Sequence, residues 1–293
     1  MNTPVVLDLD ASVGPLPGEC RLPLAPWQEA VRFGCTLATL RRFTAAMAAG
    51  LPARHGTVLL GSGDFHHLSW PLVARCTAGQ PPRSLRVLVL DNHPDNMRLP
   101  LGVHCGSWVR RVAALPQVAE VLVLGITSPD IGWRHAWENH WWPRARGRLQ
   151  YWSTGVDVGW ARRCGLGRAV RGFASVQALV DAACEHLQAR PLRTYLSIDK
   201  DVFAPHVVRT NWDQGQLRPN HAAQLLHTLR GHVVASDITG EISQWRYRTA
   251  WKRWLSAHDG QTTDHAPAEL PQWQAGQHAF NLTLLAGIAA ASA

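Results

Sequence analysis

The stretch LRVLVLDNHPD, residues 85–95, decides the fold of this chain. Its first six residues form a run rich in Val and Leu, and such a run predicts a β-strand that is buried on both faces of a mostly parallel sheet. Its last five residues place Asp91, His93 and Asp95 directly after that strand. Ligands of open α/β sheets bind beyond the carboxyl ends of the strands. The stretch therefore predicts both a parallel sheet and the edge at which its site lies.

Shorter apolar runs bounded by turn residues occur at residues 57–60, 121–124, 194–198 and 232–235. Stretches with helical character lie between or beside them, at residues 27–49, 176–189, 220–229 and 277–289. The first of these is amphipathic, with Val31, Leu37, Leu40 and Phe43 on one side and Arg32, Arg41 and Arg42 on the other. The alternation of strands and helices indicates the α/β class. No internal repeat or flexible linker interrupts residues 1–293, so we predict a single domain.

Composition argues against several protein classes. With 46% apolar and 17% charged residues, the chain is typical of a globular protein rather than a disordered one. No run approaches about 18 uninterrupted apolar residues, so no membrane span is predicted. Residues 1–10 lack the basic start and apolar core of a secretion signal, and the six cysteines form no C-x-x-C pair. We therefore expect reduced thiols and a cytoplasmic location.

The formal net charge of +8 raises the question of a polyanionic partner. The surplus is mostly arginine spread along the chain, and no recognisable nucleic-acid-binding module accompanies it, so we predict no nucleic-acid partner. Residues 244–254 mix aromatic and basic side chains as single-strand binders do. The spacing of Trp251 and Trp254 more simply predicts an amphipathic helix that packs its tryptophans inward or against another subunit.

Two further polar clusters stand at the ends of apolar runs. The run from residue 57 continues as GSGDFHH, residues 61–67, and the run at 194–198 continues as Asp199-Lys200-Asp201. Residues two apart in an extended segment project to the same side, so Asp199 and Asp201 can converge, as can the carboxylates and the imidazole of residues 91–95. Taken alone, each cluster could equally cap a helix or form a turn. Three such clusters in one chain favour a common site.

The composition of these clusters indicates metal binding. Four carboxylates gathered without cations would repel one another and become protonated, and divalent ions remove that penalty. A set of carboxylates and imidazoles suits manganese or a similar first-row ion and is too rich in oxygen for structural zinc. Because several carboxylates can bridge, two ions about 3.5 to 4 Å apart are expected.

In these motifs the chain resembles the ureohydrolases, the family of arginase and agmatinase. That family carries G-G-D-H-S, D-A-H-x-D and S-x-D-x-D-x-x-D-P segments in this order on a doubly wound sheet. Here the corresponding segments are SGDFHHLS (62–69), DNHPD (91–95) and SIDKDVFAP (197–205). The resemblance covers roughly residues 58–241 and implies a single-domain three-layer α/β/α fold with a doubly wound, mostly parallel sheet, as in arginase.

The resemblance also implies a ligand set for two divalent ions, with Mn²⁺ expected first and Ni²⁺ or Zn²⁺ as alternatives. Asp91 and Asp199 would bridge both ions. His93 and Asp201 would complete the shell of one ion, and Asp95 with a first-motif histidine would complete the other. One extra residue in that motif leaves His66 and His67 as candidates, of which we prefer His66.

Two more residues are carried over from the family pattern. His104 corresponds to a histidine that shuttles protons, and Glu241 corresponds to a glutamate that faces the substrate. The resemblance then implies hydrolysis of a carbon–nitrogen bond in a guanidino or amidino compound by a hydroxide that bridges the ions and donates a hydrogen bond to Asp95. It also implies a homo-oligomer, a trimer or a hexamer.

Some departures from the family leave the substrate open. Ala204 replaces the aspartate before Pro205, and residues 206–215 match no amino-acid-binding pattern. The tryptophan-rich stretch 125–160 is expected to form long loops that narrow the entrance to the site. The alternatives are a deacetylase-like amide hydrolase with one zinc ion, and a non-catalytic arginase-like subunit or scaffold.

Overall fold

A parallel β-sheet organises the molecule. The computed structural model describes residues 3–99, 102–258, 261 and 268–292. Within these residues the sheet consists of β1 Val5–Asp8, β2 Cys20–Pro23, β4 Val58–Leu59, β5 Leu85–Leu90, β7 Val118–Ile126, β8 Leu149–Thr154, β9 Val170–Phe173, β10 Arg193–Asp199 and β11 Val233–Thr239. The strand order is β2-β1-β4-β11-β10-β5-β7-β8-β9, and each neighbouring pair is parallel. Strands β3 Gly34–Cys35 and β6 Val103–His104 form a separate antiparallel pair.

Helices cover both faces of the sheet. They are α1 Gln28–Val31, α2 Leu37–Gly50, α3 Ser69–Thr77, α4 Val109–Ala113, α5 Trp142–Ala145, α6 Gly159–Arg163, α7 Val176–Ala189, α8 Pro219–Thr228, α9 Ala250–His258 and α10 Leu270–Ser292. Along β5, Val87 and Val89 join the core that includes α2, α3 and α4, whereas Leu88 and Leu90 join the core that includes α7, α8 and α10. This alternation explains why the strand is apolar throughout. The predicted fold class, a three-layer α/β/α arrangement around a parallel sheet, is confirmed. The single domain over residues 1–293 stays a prediction.

The predicted helix over residues 27–49 is interrupted at residues 32–36, between α1 and α2. The chain leaves helix α1 at Arg32, Phe33 adopts a positive φ of 64°, and β3 follows before α2 begins. Arg32, expected on a solvent face, is fully buried and pairs with Asp64 at 2.6 Å and with Asp10 at 3.3 Å. These charge pairs with distant segments outweigh the local helical pattern, because a buried guanidinium needs carboxylate partners.

The stretch 125–160 is also more ordered than the predicted loops. It contains short 3₁₀ turns, helix α5 and strand β8, which adds to the sheet beside β7. In the helix predicted around residues 251–254, Trp254 is 67% exposed, so inward packing is wrong for this side chain. Within the part of the chain that the structure describes, no helix is both long and apolar enough to cross a membrane.

Candidate metal centre

Four adjacent strands bring the three polar clusters to one edge of the sheet. β4, β11, β10 and β5 are neighbours in this order, and all of them run parallel. The 3₁₀ turn Gly63–Leu68 lies beyond β4, Asp91 directly follows β5, and Asp199 ends β10. Because parallel strands end at a common edge, segments that are far apart in sequence meet there.

The first group of candidate ligands is His66, Asp91 and Asp95. Their ligand atoms lie within 4.8 Å of one another. His66 Nδ1 is 2.9 Å from Asp95 Oδ2 and 3.2 Å from Asp91 Oδ2, and its Nε2 pairs with Ser197 Oγ at 3.0 Å. The Ser197 contact orients the imidazole so that Nδ1 faces the carboxylates, which is the arrangement that a metal-binding histidine requires.

The second group is Asp91, His93 and Asp201, which also offer ligand atoms within 4.8 Å of one another. His93 Nδ1 is 2.9 Å from Asp201 Oδ2 and 3.6 Å from Asp91 Oδ1. Its other nitrogen, Nε2, lies 2.7 Å from Asp213 Oδ1. Asp91 thus faces both groups, with Oδ2 toward His66 and Oδ1 toward His93.

Asp199 lies beside the first group. Its Oδ2 is 3.5 Å from His66 Nδ1, and its Oδ1 accepts a hydrogen bond from the backbone of Asp201 at 3.0 Å. The structure therefore brings together all six of the preferred ligands, although the bridging role of Asp199 stays a prediction.

The charges of this cluster fit cations. Burial, followed by repulsion from Asp91, raises the pKa of Asp95 and of Asp201 to about 7. Burial and Asp201 raise the pKa of Asp199 well above its usual value. Burial opposes ionisation of Asp91 as well, but hydrogen bonds with His66 and His93 outweigh it and lower that pKa. A carboxylate set that resists full ionisation gains most from divalent ions, which supply the missing positive charge.

His67 does not take part in this cluster. Its ring is fully buried, and neither nitrogen has a hydrogen bond of normal geometry, with only a marginal contact to the backbone of Val31. Burial lowers the pKa of His67 well below its usual value, so the ring is neutral. Of the two candidates that the sequence left open, the structure places His66 at the carboxylates. Asp64 of the same motif instead pairs with Arg32 and accepts a hydrogen bond from Trp212 Nε1 at 3.2 Å.

A cavity of about 590 Å³ opens above the cluster. Beyond the candidate ligands, its wall includes Asp130, His135, Glu138, Trp212, Asp213 and His258. None of the described residues that line it is Lys or Arg. The volume suits a small molecule, and the lining favours a positively charged one.

His104 also lines this cavity. Its Nδ1 accepts a hydrogen bond from the backbone of Gly106 at 3.1 Å, so the proton of the neutral ring belongs on Nε2. Burial lowers the pKa of His104 to about 4. At neutral pH the ring is therefore a hydrogen-bond donor through Nε2 rather than an imidazolium.

Glu241 is placed away from the cavity, contrary to the role expected from the family pattern. Its Oε1 lies 2.5 Å from Lys200 Nζ and accepts a hydrogen bond from Asn281 Nδ2 at 2.6 Å. The reason lies at Gly240, which follows β11 with a positive φ of 91° and so breaks the alternation of the strand. A Cβ on Gly240 would lie against Asp199, and the side chain of Glu241 points to Asn281 of α10.

No family model matches the sequence. An uncharacterized protein of Thermotoga maritima is 33% identical over 210 residues, which make up 70% of this chain and 68% of the Thermotoga protein. A formimidoylglutamase from Bacillus subtilis superimposes with a TM-score of 0.53 at 11% identity, covering 98% of this chain and 86% of that one. The agmatine ureohydrolase of Thermoplasma volcanium gives a TM-score of 0.50 at 12% identity, with 98% and 90% covered. The proclavaminate amidino hydrolase from Streptomyces clavuligerus gives a TM-score of 0.50 at 16% identity, with 87% and 70% covered.

The chain belongs to the family of the Thermotoga protein and has the ureohydrolase fold. The resemblance inferred from the three motifs is thereby confirmed for the fold.

Within this fold, the sequence did not reveal Trp212 and Asp213. Both lie in residues 206–215, for which no pattern was recognised, and both line the cavity. The stretch 125–160 contributes Asp130, His135 and Glu138 to the wall, but its tryptophans do not take part. Trp133, Trp137 and Trp142 are 68%, 64% and 70% exposed and are not among the lining residues. Trp212, rather than the stretch 125–160, supplies a tryptophan wall.

Proposed function

We propose that the protein is a dinuclear-metal hydrolase that cleaves a carbon–nitrogen bond of a small guanidino or amidino compound. The observation that carries the proposal is the position of Asp91 between two groups of ligands, with His66 and Asp95 on one side and His93 and Asp201 on the other. The similar solved structures include an amidino hydrolase and an agmatine ureohydrolase, which supports this reaction class.

The residues present fit two divalent ions, Mn²⁺ foremost and Ni²⁺ or Zn²⁺ next. His66, Asp91, Asp95 and Asp199 would hold one ion, and Asp91, His93, Asp199 and Asp201 would hold the other. Asp91 is buried, and the contact of its Oδ2 with His66 Nδ1 at 3.2 Å joins two candidate ligands of the same ion. When bound, two such ions lower the pKa of water to near neutrality and polarise the substrate.

The wall of the cavity is suited to bind a positively charged substrate. Four cage carboxylates balance two divalent ions, so Asp130, Glu138 and Asp213 leave the wall with excess negative charge. A guanidinium is attracted to such a wall, and a tryptophan face adds about 0.5 to 2 kcal/mol by cation–π contact. In this proposal the carboxylates of the wall, and not Glu241, face the cationic group of the substrate. Trp212 provides the aromatic face.

Two residues would handle protons. Asp95 lines the cavity and is proposed to accept a hydrogen bond from the attacking water. His104 offers Nε2–H from the cavity wall and is proposed to hydrogen-bond to the departing amine, the step for which the sequence suggested it. We also propose a homo-oligomer, a trimer or hexamer, that works in the cytoplasm. Light scattering of the purified protein tests the assembly.

The test is turnover after metal reconstitution. Metal-free protein is loaded with two equivalents of Mn²⁺ or Ni²⁺, and urea or ammonia release is measured over a panel of guanidino and amidino compounds. We expect turnover of at least one compound and its loss in Asp199→Ala. Full activity of Asp199→Ala would contradict the proposal. One tightly bound zinc per chain would indicate the deacetylase-like alternative, and a folded, metal-loaded, inactive oligomer would indicate a scaffold.

A further inference from the structure

A buried lysine stands between two of the candidate ligands. Lys200 lies between Asp199 and Asp201, yet its side chain is fully buried on the side away from the cavity. Nζ lies 2.5 Å from Glu241 Oε1, and it donates hydrogen bonds to Asn281 Oδ1 at 3.0 Å and Gln277 Oε1 at 3.2 Å. The three donors of the ammonium group thus meet three acceptors, which is full satisfaction for a buried lysine.

The acceptors tie the last helix to this loop. Gln277 and Asn281 project from α10 and are themselves fully buried. Asn281 Nδ2 donates to Glu241, as described above, while Gln277 Nε2 donates to the carbonyl of Gly240 at 2.9 Å and Gln277 Oε1 accepts from the backbone of Ile242 at 3.0 Å. Gln277 Nε2 also donates to the carbonyl of Arg209. Helix α10 therefore contacts three segments: the loop of residues 199–201, the residues that follow β11, and the segment after Pro205.

The contact with the candidate ligands is close. A Cβ on Gly240 would collide with Asp199 Oδ1 and lie 2.7 Å from the backbone nitrogen of Lys200, so the chain after β11 passes directly against residues 199–201. A shift of Lys200 moves the carboxylates on either side of it, because they are its chain neighbours. The positions of the Asp199 and Asp201 carboxylates therefore depend on the position of Lys200.

We propose that Lys200, Glu241, Gln277 and Asn281 form a positioning network that holds Asp199 and Asp201 in the arrangement that binds metal. Buried ion pairs stabilise folds weakly, and well-packed apolar residues often replace them without loss of stability. We expect the network to contribute mainly by fixing the position of residues 199–201 through its hydrogen bonds. The inference rests on the proposed metal cage.

The experiment replaces the polar network with apolar side chains of similar size. In the triple variant Lys200→Met/Glu241→Leu/Asn281→Leu, no charge is left without its partner, and Gln277 keeps its backbone contacts. The matched control is Arg86→Met/Glu120→Leu, which removes another buried pair, 2.8 Å long, near the opposite ends of β5 and β7. Binding of Mn²⁺ to the metal-free proteins is measured by calorimetry, and the exchange-coupled signal of the loaded proteins by electron paramagnetic resonance.

We expect the triple variant to bind Mn²⁺ at least about tenfold more weakly and to lose the coupled signal, as for loss of outer-shell support of a metal site. The control variant should match the wild type in both readouts. Unchanged affinity and an unchanged coupled signal in a folded triple variant would overturn the positioning network. If the triple variant does not fold, Gln277→Met provides the same comparison. Failure of the wild type itself to bind Mn²⁺ would instead overturn the proposed function.

Discussion

Substitution of Asp213 tests whether His93, in the second group of candidate ligands, binds a metal ion. It accepts from His93 Nε2 through Oδ1 at 2.7 Å and from Asn92 Nδ2 through Oδ2 at 3.0 Å. An ion on His93 Nδ1 requires the ring proton on Nε2, and Asp213 is placed to hold that proton and to orient the ring. The substitution Asp213→Asn keeps the shape of the side chain and removes its charge.

The size of the effect follows from the exposure of the pair. Loss of a carboxylate behind a metal-binding histidine weakens metal binding by about 10–100-fold. Because 59% of the Asp213 side chain is exposed, water screens its charge and the lower end applies. We expect about tenfold weaker binding of one ion, or about 1.4 kcal/mol, and no change for the ion held by His66.

Calorimetric titration of metal-free protein with Mn²⁺ resolves the two binding steps. Asp130→Asn is the matched control, because it removes a carboxylate from the same cavity wall without touching His93. If both variants bound Mn²⁺ equally more weakly than the wild type, the effect would come from the loss of negative charge in the cavity and not from the contact with His93. No weakening in Asp213→Asn would refute the role given to this side chain.

Three further predictions follow from the same geometry. His93→Ala should lose one ion selectively, and two ions per chain with unchanged affinity by elemental analysis would exclude the proposed ligand set. The metal-free protein should become less stable as pH rises from about 4 to 7, because burial raises the pKa of Asp95 and Asp201 to about 7 and their neutral forms are favoured by folding. Melting temperatures over this range, with and without Mn²⁺, measure that loss and its reversal by metal. Arginine should have a lower kcat/KM than agmatine, guanidinobutyrate or guanidine, because no Lys or Arg among the described lining residues can hold its α-carboxylate; a clear preference for arginine would contradict the cavity argument and leave the metal site untouched.

The sheet was predictable because its strands carry a local signal. Residues 85–90 were predicted and observed as one strand, since burial on both faces makes every position apolar. Strand β8, with its sequence LQYWST, was missed because polar residues interrupt its apolar pattern. The helix predicted over 27–49 is broken at 32–36 for a tertiary reason, because Arg32 pairs with Asp64 and Asp10 in distant segments.

The site was predictable only where spacing within one segment decides it. Side chains two residues apart in an extended segment point to the same side, and this spacing predicted that Asp91, His93 and Asp95 converge. The role of Glu241 depended on which side chain after β11 faces the cluster, and the positive φ of Gly240 breaks the alternation of the strand at that point. Asp213 lies in an irregular segment, where only the folded chain shows that it meets His93.

A crystal structure of the manganese-loaded protein with anomalous scattering at the metal edge tests the central claim most directly. We predict two peaks per chain, about 3.5 to 4 Å apart, with Asp91 in contact with both. His66 and Asp95 should contact one peak, and His93 and Asp201 the other. A single peak, or ions bound away from Asp91, would contradict the dinuclear centre.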